Sequence, residues 1–203
     1  MTFFCIAMAT PNDLSALRGR RLLLGVSGSI AAYKAAPLTR LLVQAGAEVQ
    51  VILTDAAAGF VTPLTLGTLS KKPVLTGFVR DAASGQWHNH VELGLWADAY
   101  LIAPASANTL GNLANGLCPN LLSAVYLSAR CPVFLAPAMD LDMYAHPAVQ
   151  HNIQRLRSFG NHVFDSPAGE LASGLSGPGR MLEPEQIVAE LAGYFRELKI
   201  EKV

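Results

Sequence analysis

The sequence predicts an α/β domain built on a doubly wound parallel sheet with helices on both faces. Three observations predict it. Short apolar runs recur along the chain, the stretches between them carry helical spacing, and several of the runs end in small polar residues. Alternating strands and helices make βαβ units. Strands that are apolar throughout, rather than alternating, are buried on both faces.

The elements follow in order. "RRLLLGVSGS" (20–29) reads as a buried strand running into a turn, and "IAAYKAAPLTRLLVQAG" (30–46) as a helix with Gly46 as its stop signal. Pro37 inside that helix is expected to kink it. "EVQVILT" (48–54) is a second strand, "AYLIAPAS" (99–106) and "CPVFLAPAM" (131–139) are two more, and "NHVFDS" (161–166) is a weaker fifth. Helices are expected near 57–69, 90–97, 107–128 and 146–158. Residues 184–198 open with proline and close the chain as an amphipathic helix. The glycine-rich stretch "GELASGLSGPGRM" (169–181) suits neither element, because glycine loses the most backbone freedom on ordering, and it reads as a mobile loop. Residues 1–18 read as an N-terminal extension and 19–203 as one domain without internal repeat or linker.

Composition bounds the function. The 203 residues suit one domain, and 51% hydrophobic against 15% charged residues gives material for a large core. A net charge of zero argues against a nucleic-acid face. No apolar run approaches the roughly 20 residues that cross a bilayer, and the apolar "MTFFCIAMAT" lacks the basic start of a signal peptide. Cys5, Cys118 and Cys131 form neither a metal pattern nor a disulfide framework, so a reducing cytoplasm is the expected setting.

Three strand ends carry small polar residues: "GVSGS" (25–29), "APASANT" (103–109) and "APAMD" (136–140). Such loops expose backbone N–H groups at helix N-termini, which suits a phosphate. One alone is more simply a tight βα turn; three together point to a ligand. The first is G-x-x-G rather than the dinucleotide fingerprint, and the choice between Thr54 and Asp55 leaves the ribose-binding position open, so a mononucleotide fits better than a dinucleotide. His90, before a helix, is a candidate base because imidazole titrates near neutrality; its bland reading is a solvated or capping residue. His88, His146, His151 and His162 read as surface residues, Trp96 as core, and Cys118 and Cys131 as small buried hydrophobes. Asp140 sits where site residues gather in this architecture, with a helix N-cap as its plain alternative.

Taken together, these stretches resemble the homo-oligomeric flavin-containing cysteine decarboxylases, from about Gly19 to Phe195. "GVSGSIAAYKA" resembles the family's first flavin loop, "HVELGLWAD" its catalytic histidine segment with His90 in place, and "PASANTLGNLANGL" its second flavin motif. "PAMDLDMY" is similar to the substrate motif P-x-M-N-x-x-M-W, and "ELASGLSGPGRM" to the flap that closes on substrate.

The resemblance implies a Rossmann-like, flavodoxin-like flavoprotein that binds FMN and assembles as a trimer or a multiple of three. It implies no membrane and no nucleic-acid partner. The best-known type in the family decarboxylates 4'-phosphopantothenoylcysteine to 4'-phosphopantetheine in coenzyme A biosynthesis, often fused to the synthetase that precedes it. Gly25, Ser27, Ser29, Thr54, Ser106, Ala107, Asn108 and Met139 are the cofactor positions so implied. His90 is the base, and Asp140, Met143, Arg180 and Met181 meet substrate. The sequence departs from the pattern where Asp140 stands for the motif's Asn, Ser173 for the flap's proton-donating Cys, and Tyr144 for its Trp. A protonated Asp140 would hold the substrate carboxylate as the Asn does and would supply the proton that Ser173, a weak acid, supplies poorly. Ser173 and Asp140 are thus the candidate acids of the second half-reaction. Alternative readings are decarboxylation of a peptide's C-terminal cysteine, prenyl transfer to flavin, and a non-catalytic regulatory flavoprotein; the presence of His90 favours an enzyme over the last.

Overall fold

The structure, a computed structural model, describes residues 14–81 and 83–200. Its strands are β1 (Arg21–Val26), β2 (Glu48–Leu53), β3 (Val79–Asp81), β4 (Gln86–Trp87), β5 (Ala99–Ala105), β6 (Val133–Pro137), β7 (His162–Val163), β8 (Ala168–Glu170) and β9 (Ser176–Pro178). Five of them form one sheet in the order β2-β1-β5-β6-β7, and every pairing in it is parallel. The expected doubly wound sheet is therefore observed. Two antiparallel ribbons, β3 with β4 and β8 with β9, stand outside it.

The apolar run of β1 divides between two cores. Leu22, Leu24 and Val26 bury into a cluster on one face with Leu38, Leu42, Leu191 and Phe195. Leu23 points to the other face, among Tyr100, Ile102, Leu113 and Leu122. Alternate side chains thus face opposite layers, and each fully buried leucine contributes about 1.5–3 kcal/mol.

The helices are α1 (Ala35–Gln44), α2 (Asp55–Ala58), α3 (Pro63–Ser70), α4 (His90–Trp96), α5 (Ala107–Ala114), α6 (Leu121–Ser128), α7 (Leu141–Ala145), α8 (Pro147–Ser158) and α9 (Pro184–Ile200). A 3-10 turn, Ile30–Lys34, leads into α1, so Pro37 falls in the first turn of α1, where its missing N–H is tolerated. Two helices expected as continuous are broken. Thr62 caps a new start at Pro63, and Asn120 forms a capping box with Ser123 after a turn through Gly116 at φ 67°. Interior caps, invisible to periodicity, decide both breaks.

Leu14–Leu17, which the sequence places in the N-terminal extension, form a 3-10 turn with Ala16 and Leu17 buried in the first core, where they meet α9. Residues 1–13, including Cys5, lie outside the described residues. No helix among the described residues is long and apolar enough to cross a membrane.

Candidate functional site

The strand order reverses between β1 and β5. The chain leaves β1 toward β2 on one side and returns to β5 on the other. A crevice at the carboxyl ends of these two strands is where ligands bind in open parallel sheets. It is flanked by residues 27–30 after β1 and 106–108 after β5.

Ser27 laces the two strand ends together. Its hydroxyl donates to the Pro104 carbonyl (2.8 Å) and accepts from the Ser106 amide (2.9 Å), and its own amide donates to Pro104 (3.3 Å). The side chains of Ser29, Thr54 and Ser106 are occupied as helix caps, accepting from the amides of Ala31, Ala57 and Thr109. The amides of Gly28, Ser29, Ile30, Ala107 and Asn108 have no partner among the described residues. These five neighbour Ser27 and Ser106, whose own amides are taken up inside the fold. Gly28 lets the first loop approach α2, since a Cβ there would lie 2.6 Å from Ala56 Cβ. Gly25, an expected cofactor position, lies within β1, where a Cβ would meet Tyr100 Oη at 2.9 Å and Leu122 at 3.0 Å, so its smallness also serves core packing.

His90 opens α4, whose N-terminus is capped by Asn89. Its carbonyl accepts from the Ser128 hydroxyl (3.2 Å), and Gly94 packs on the Ser128 carbonyl. The imidazole sits beside Trp87 and Phe78, ring centroids 5.8 and 6.3 Å away. Its Nδ1 is buried and has no hydrogen-bond partner among the described residues, an uncommon condition for a buried polar atom. Neighbouring His88 is held below the usual histidine range by burial, with Arg80 adding to the effect. Trp96 is half-buried beneath Lys72, while Val91 and Leu95 on its helix are exposed. Cys118 is exposed rather than buried as expected, and burial pushes the half-buried Cys131 thiol up to about 11.

A cavity of about 560 Å³ opens between the first loop and the β8–β9 hairpin, lined among others by Ser29, Lys34, Met139, Asp140, Arg180 and Met181. Met139, expected at the cofactor, and Asp140, Arg180 and Met181, expected at the substrate, line it together. Met143 is exposed on α7, and Ser173 is exposed in the hairpin turn; neither lines the cavity, nor does His90. Asp140 caps α7, its Oδ1 accepting from the Leu141 amide at 2.6 Å.

The stretch read as a mobile loop is instead a β-hairpin closed by Leu171 N–H to the Leu175 carbonyl (2.8 Å). Its glycines answer to close approach. A Cβ on Gly177 would lie 2.6 Å from Leu141 Cδ1, and one on Gly179, at φ 137°, would lie 2.5 Å from the Met139 carbonyl. The Met139 amide donates to the Gly179 carbonyl at 3.0 Å, so the hairpin is stitched to the loop after β6.

Lys34, which lines this cavity, and its partner Glu183 escape the sequence reading. Lys34, buried, donates to the Met181 carbonyl (3.2 Å) and to Glu183 Oε1 (2.7 Å). Arg180 donates to the same Glu183 oxygen at 3.1 Å. The Lys34 hydrogen bond, with the charges of Lys34 and Arg180, holds the Glu183 carboxyl below its ordinary range. The available signal was that Lys34 is the one charge in the small, apolar run "SIAAYKAAPL".

Comparison with known proteins places this geometry. The chain is 59% identical over 140 residues to a cysteine/cysteine sulfinic acid decarboxylase from an unknown prokaryotic organism, covering 69% of this chain and 39% of that protein. It is 45% identical over 182 residues to the coenzyme A biosynthesis bifunctional protein CoaBC of Vibrio cholerae serotype O1, covering 90% of this chain and 45% of that protein. The chain thus spans less than half the length of both relatives. Among solved structures, a PPC decarboxylase with a cysteine replaced by serine, complexed with pantothenoylaminoethenethiol, superposes with a TM-score of 0.78 at 34% identity, covering 88% of this chain and all of that one. The Flavoprotein family profile matches residues 11–196, and the chain belongs to that family.

Proposed function

We propose that the chain is an FMN-dependent decarboxylase of 4'-phosphopantothenoylcysteine, acting in coenzyme A biosynthesis. The observation that carries this reading is the pairing of family membership with the crevice at the β1/β5 reversal. The five unpartnered amides after β1 and β5 fit a phosphate, and the absence of the dinucleotide glycine pattern suits a mononucleotide.

Bound FMN supplies the chemistry of taking a hydride from the cysteine end of the substrate and returning it after carbon dioxide leaves. The protein's residues do the rest. His90 takes the thiol proton, its Nδ1 being buried and unpaired, and Phe78 and Trp87 limit how the ring turns. Asp140, at the cavity wall, meets the substrate carboxylate and serves as the acid that delivers a proton to the enethiol carbon. Ser173 shapes the hairpin turn. A related decarboxylase with serine for cysteine is the one captured with an enethiol, and with Ser173 where the family resemblance implies the proton-donating cysteine, the reading calls for another acid.

The protein is proposed to work in the cytoplasm as a trimer or a multiple of three. Trp87, which contacts His90, its strand partner Val79, and Val91 and Leu95 on the helix that His90 opens leave apolar surface exposed that a second copy would cover. A synthetase domain, fused or separate, is the proposed pathway partner, because bifunctional relatives carry about as much chain again.

A second reading is favoured by one observation: the relative at 59% identity is described as acting on cysteine and cysteine sulfinic acid. Anaerobic incubation of the flavin-loaded protein with phosphopantothenoylcysteine, free cysteine, cysteine sulfinic acid and a peptide ending in cysteine separates the readings by carbon dioxide release. Turnover of phosphopantothenoylcysteine above the others is expected; preference for free cysteine would overturn the first reading. Product masses test the acid. The native protein should yield phosphopantetheine and Asp140→Asn should accumulate enethiol, with Ser173→Cys added to Asp140→Asn restoring reduction. Equal reduced product from Asp140→Asn would remove Asp140 from that role.

A further inference from the structure

The base of the hairpin holds two cations on a single oxygen. Lys34 Nζ and Arg180 Nη2 both reach Glu183 Oε1, at 2.7 and 3.1 Å. The two contacts differ in character. The Lys34 side chain is 8% exposed and is also fixed by the Met181 carbonyl. The Arg180 side chain is 39% exposed, bound through one nitrogen, and faces the cavity. An exposed one-nitrogen pair is weak, whereas a guanidinium gains from a planar oxyanion that engages two of its N–H groups.

We propose that Glu183 is an internal stand-in for a ligand oxyanion. On binding, Arg180 leaves Glu183 for an oxyanion in the cavity, while Lys34 keeps Glu183 neutralised and the hairpin base in place. The exchange requires both cations. Without Lys34, Glu183 would be left unpaired as Arg180 departed, and Arg180 would be held back. Glu170 also lines the cavity, so an anion gains at the end held by Lys34 and Arg180 and not beside Glu170, which gives the site a direction. The identity of the anion rests on the proposed substrate: its cysteine carboxylate or its phosphate. The class, an oxyanion, does not.

The test uses the flavin-loaded full chain, with binding read by calorimetry and by the flavin absorbance change. The probes are inorganic phosphate, 4'-phosphopantetheine (phosphate only), pantothenoylalanine (carboxylate only, without a thiol) and pantetheine (neither). Glu183→Gln removes the competing charge while leaving Lys34 an acceptor. The Lys34→Met/Glu183→Gln double variant does so without an unpaired lysine, so a folding defect in the first does not end the test. Both should bind anionic probes roughly two- to fivefold more tightly than the native protein, with pantetheine unchanged. Arg180→Met should weaken the same probes roughly tenfold. Tightening seen only for pantothenoylalanine assigns the site to the carboxylate; tightening only for phosphopantetheine assigns it to the phosphate. If inorganic phosphate tightens while no pantothenoyl probe binds, the exchange stands and the substrate reading fails. If neither Glu183 variant binds any anionic probe more tightly, Glu183 is not a competitor and the proposal is overturned.

Discussion

The crevice at the ends of β1 and β5 and the cavity under the β8–β9 hairpin adjoin the same loop but are held by different forces. At the crevice, short neutral hydrogen bonds tie buried groups: Ser27 is 1% exposed and satisfies both Pro104 and Ser106. At the hairpin, two cations share a half-exposed carboxylate. The first arrangement costs much to break and has one geometry. The second exchanges partners cheaply. A site that must hold a cofactor through many turnovers and still admit and release substrate needs both kinds of joint.

The sharpest way to break the comparison is at His90, which shares the packed character of the crevice. His90→Asn should lower kcat by about 10²–10⁴-fold while flavin absorbance is retained. A regulatory flavoprotein would show no turnover to lose. Losing the flavin together with activity would mean that His90 supports the cofactor instead.

Next in size is Ser27→Ala, which leaves the Ser106 amide without its partner and the Pro104 carbonyl with only the Ser27 amide. Calorimetric melting should show a loss of about 1–3 kcal/mol and flavin affinity should fall. Ser29→Ala removes a half-exposed cap and should cost about 1 kcal/mol or less. Equal losses for the two would erase the distinction between the lacing and the caps.

Gly179→Ala probes the other region. The added Cβ would lie 2.5 Å from the Met139 carbonyl at a φ of 137°, so about 1–3 kcal/mol of local stability should go. Hydrogen exchange across 168–178 should quicken while the sheet amides stay protected. Uniform loss of protection would show that the hairpin and the sheet unfold as one unit.

These outcomes bear on what a sequence discloses. The parallel strands were legible because both faces are covered, which turns each strand into a continuous apolar run such as "RLLLGV". The Ser and Thr caps at the strand ends were legible as a pattern, yet which amides they leave free depends on Ser27 reaching across to Pro104, 77 residues away. The β3–β4 ribbon, exposed and without apolar alternation, left no signal, and with it Trp87 and the setting of His90 were hidden. The hairpin misled most. Glycines at 177 and 179 suggest disorder in the sequence, but their cause is contact with Leu141 and Met139, which only the fold brings near. Lys34 was hidden by an apolar run that buries its stem.

The smallest expected effect is a pH dependence confined to the hairpin. Glu183's carboxyl lies below its ordinary value of 4.5, first through the Lys34 hydrogen bond and then through the charges of Lys34 and Arg180. A carboxyl with a depressed folded pKa binds protons less readily folded than unfolded. Its contribution to stability is therefore complete above its unfolded value and is lost as pH falls through the lower, folded one. Because the carboxylate is 42% exposed, the loss should be local rather than global. Exchange-protection of amides in 168–183, corrected for the intrinsic pH dependence of exchange, should fall as pH is lowered from about 5 toward 3, while Ser27 and its neighbours at the crevice change little. Glu183→Gln should abolish that step. A native hairpin with no step over this range would mean that neutral contacts, Met139 to Gly179 foremost, hold it as firmly as the crevice is held, and the contrast between the two regions would disappear.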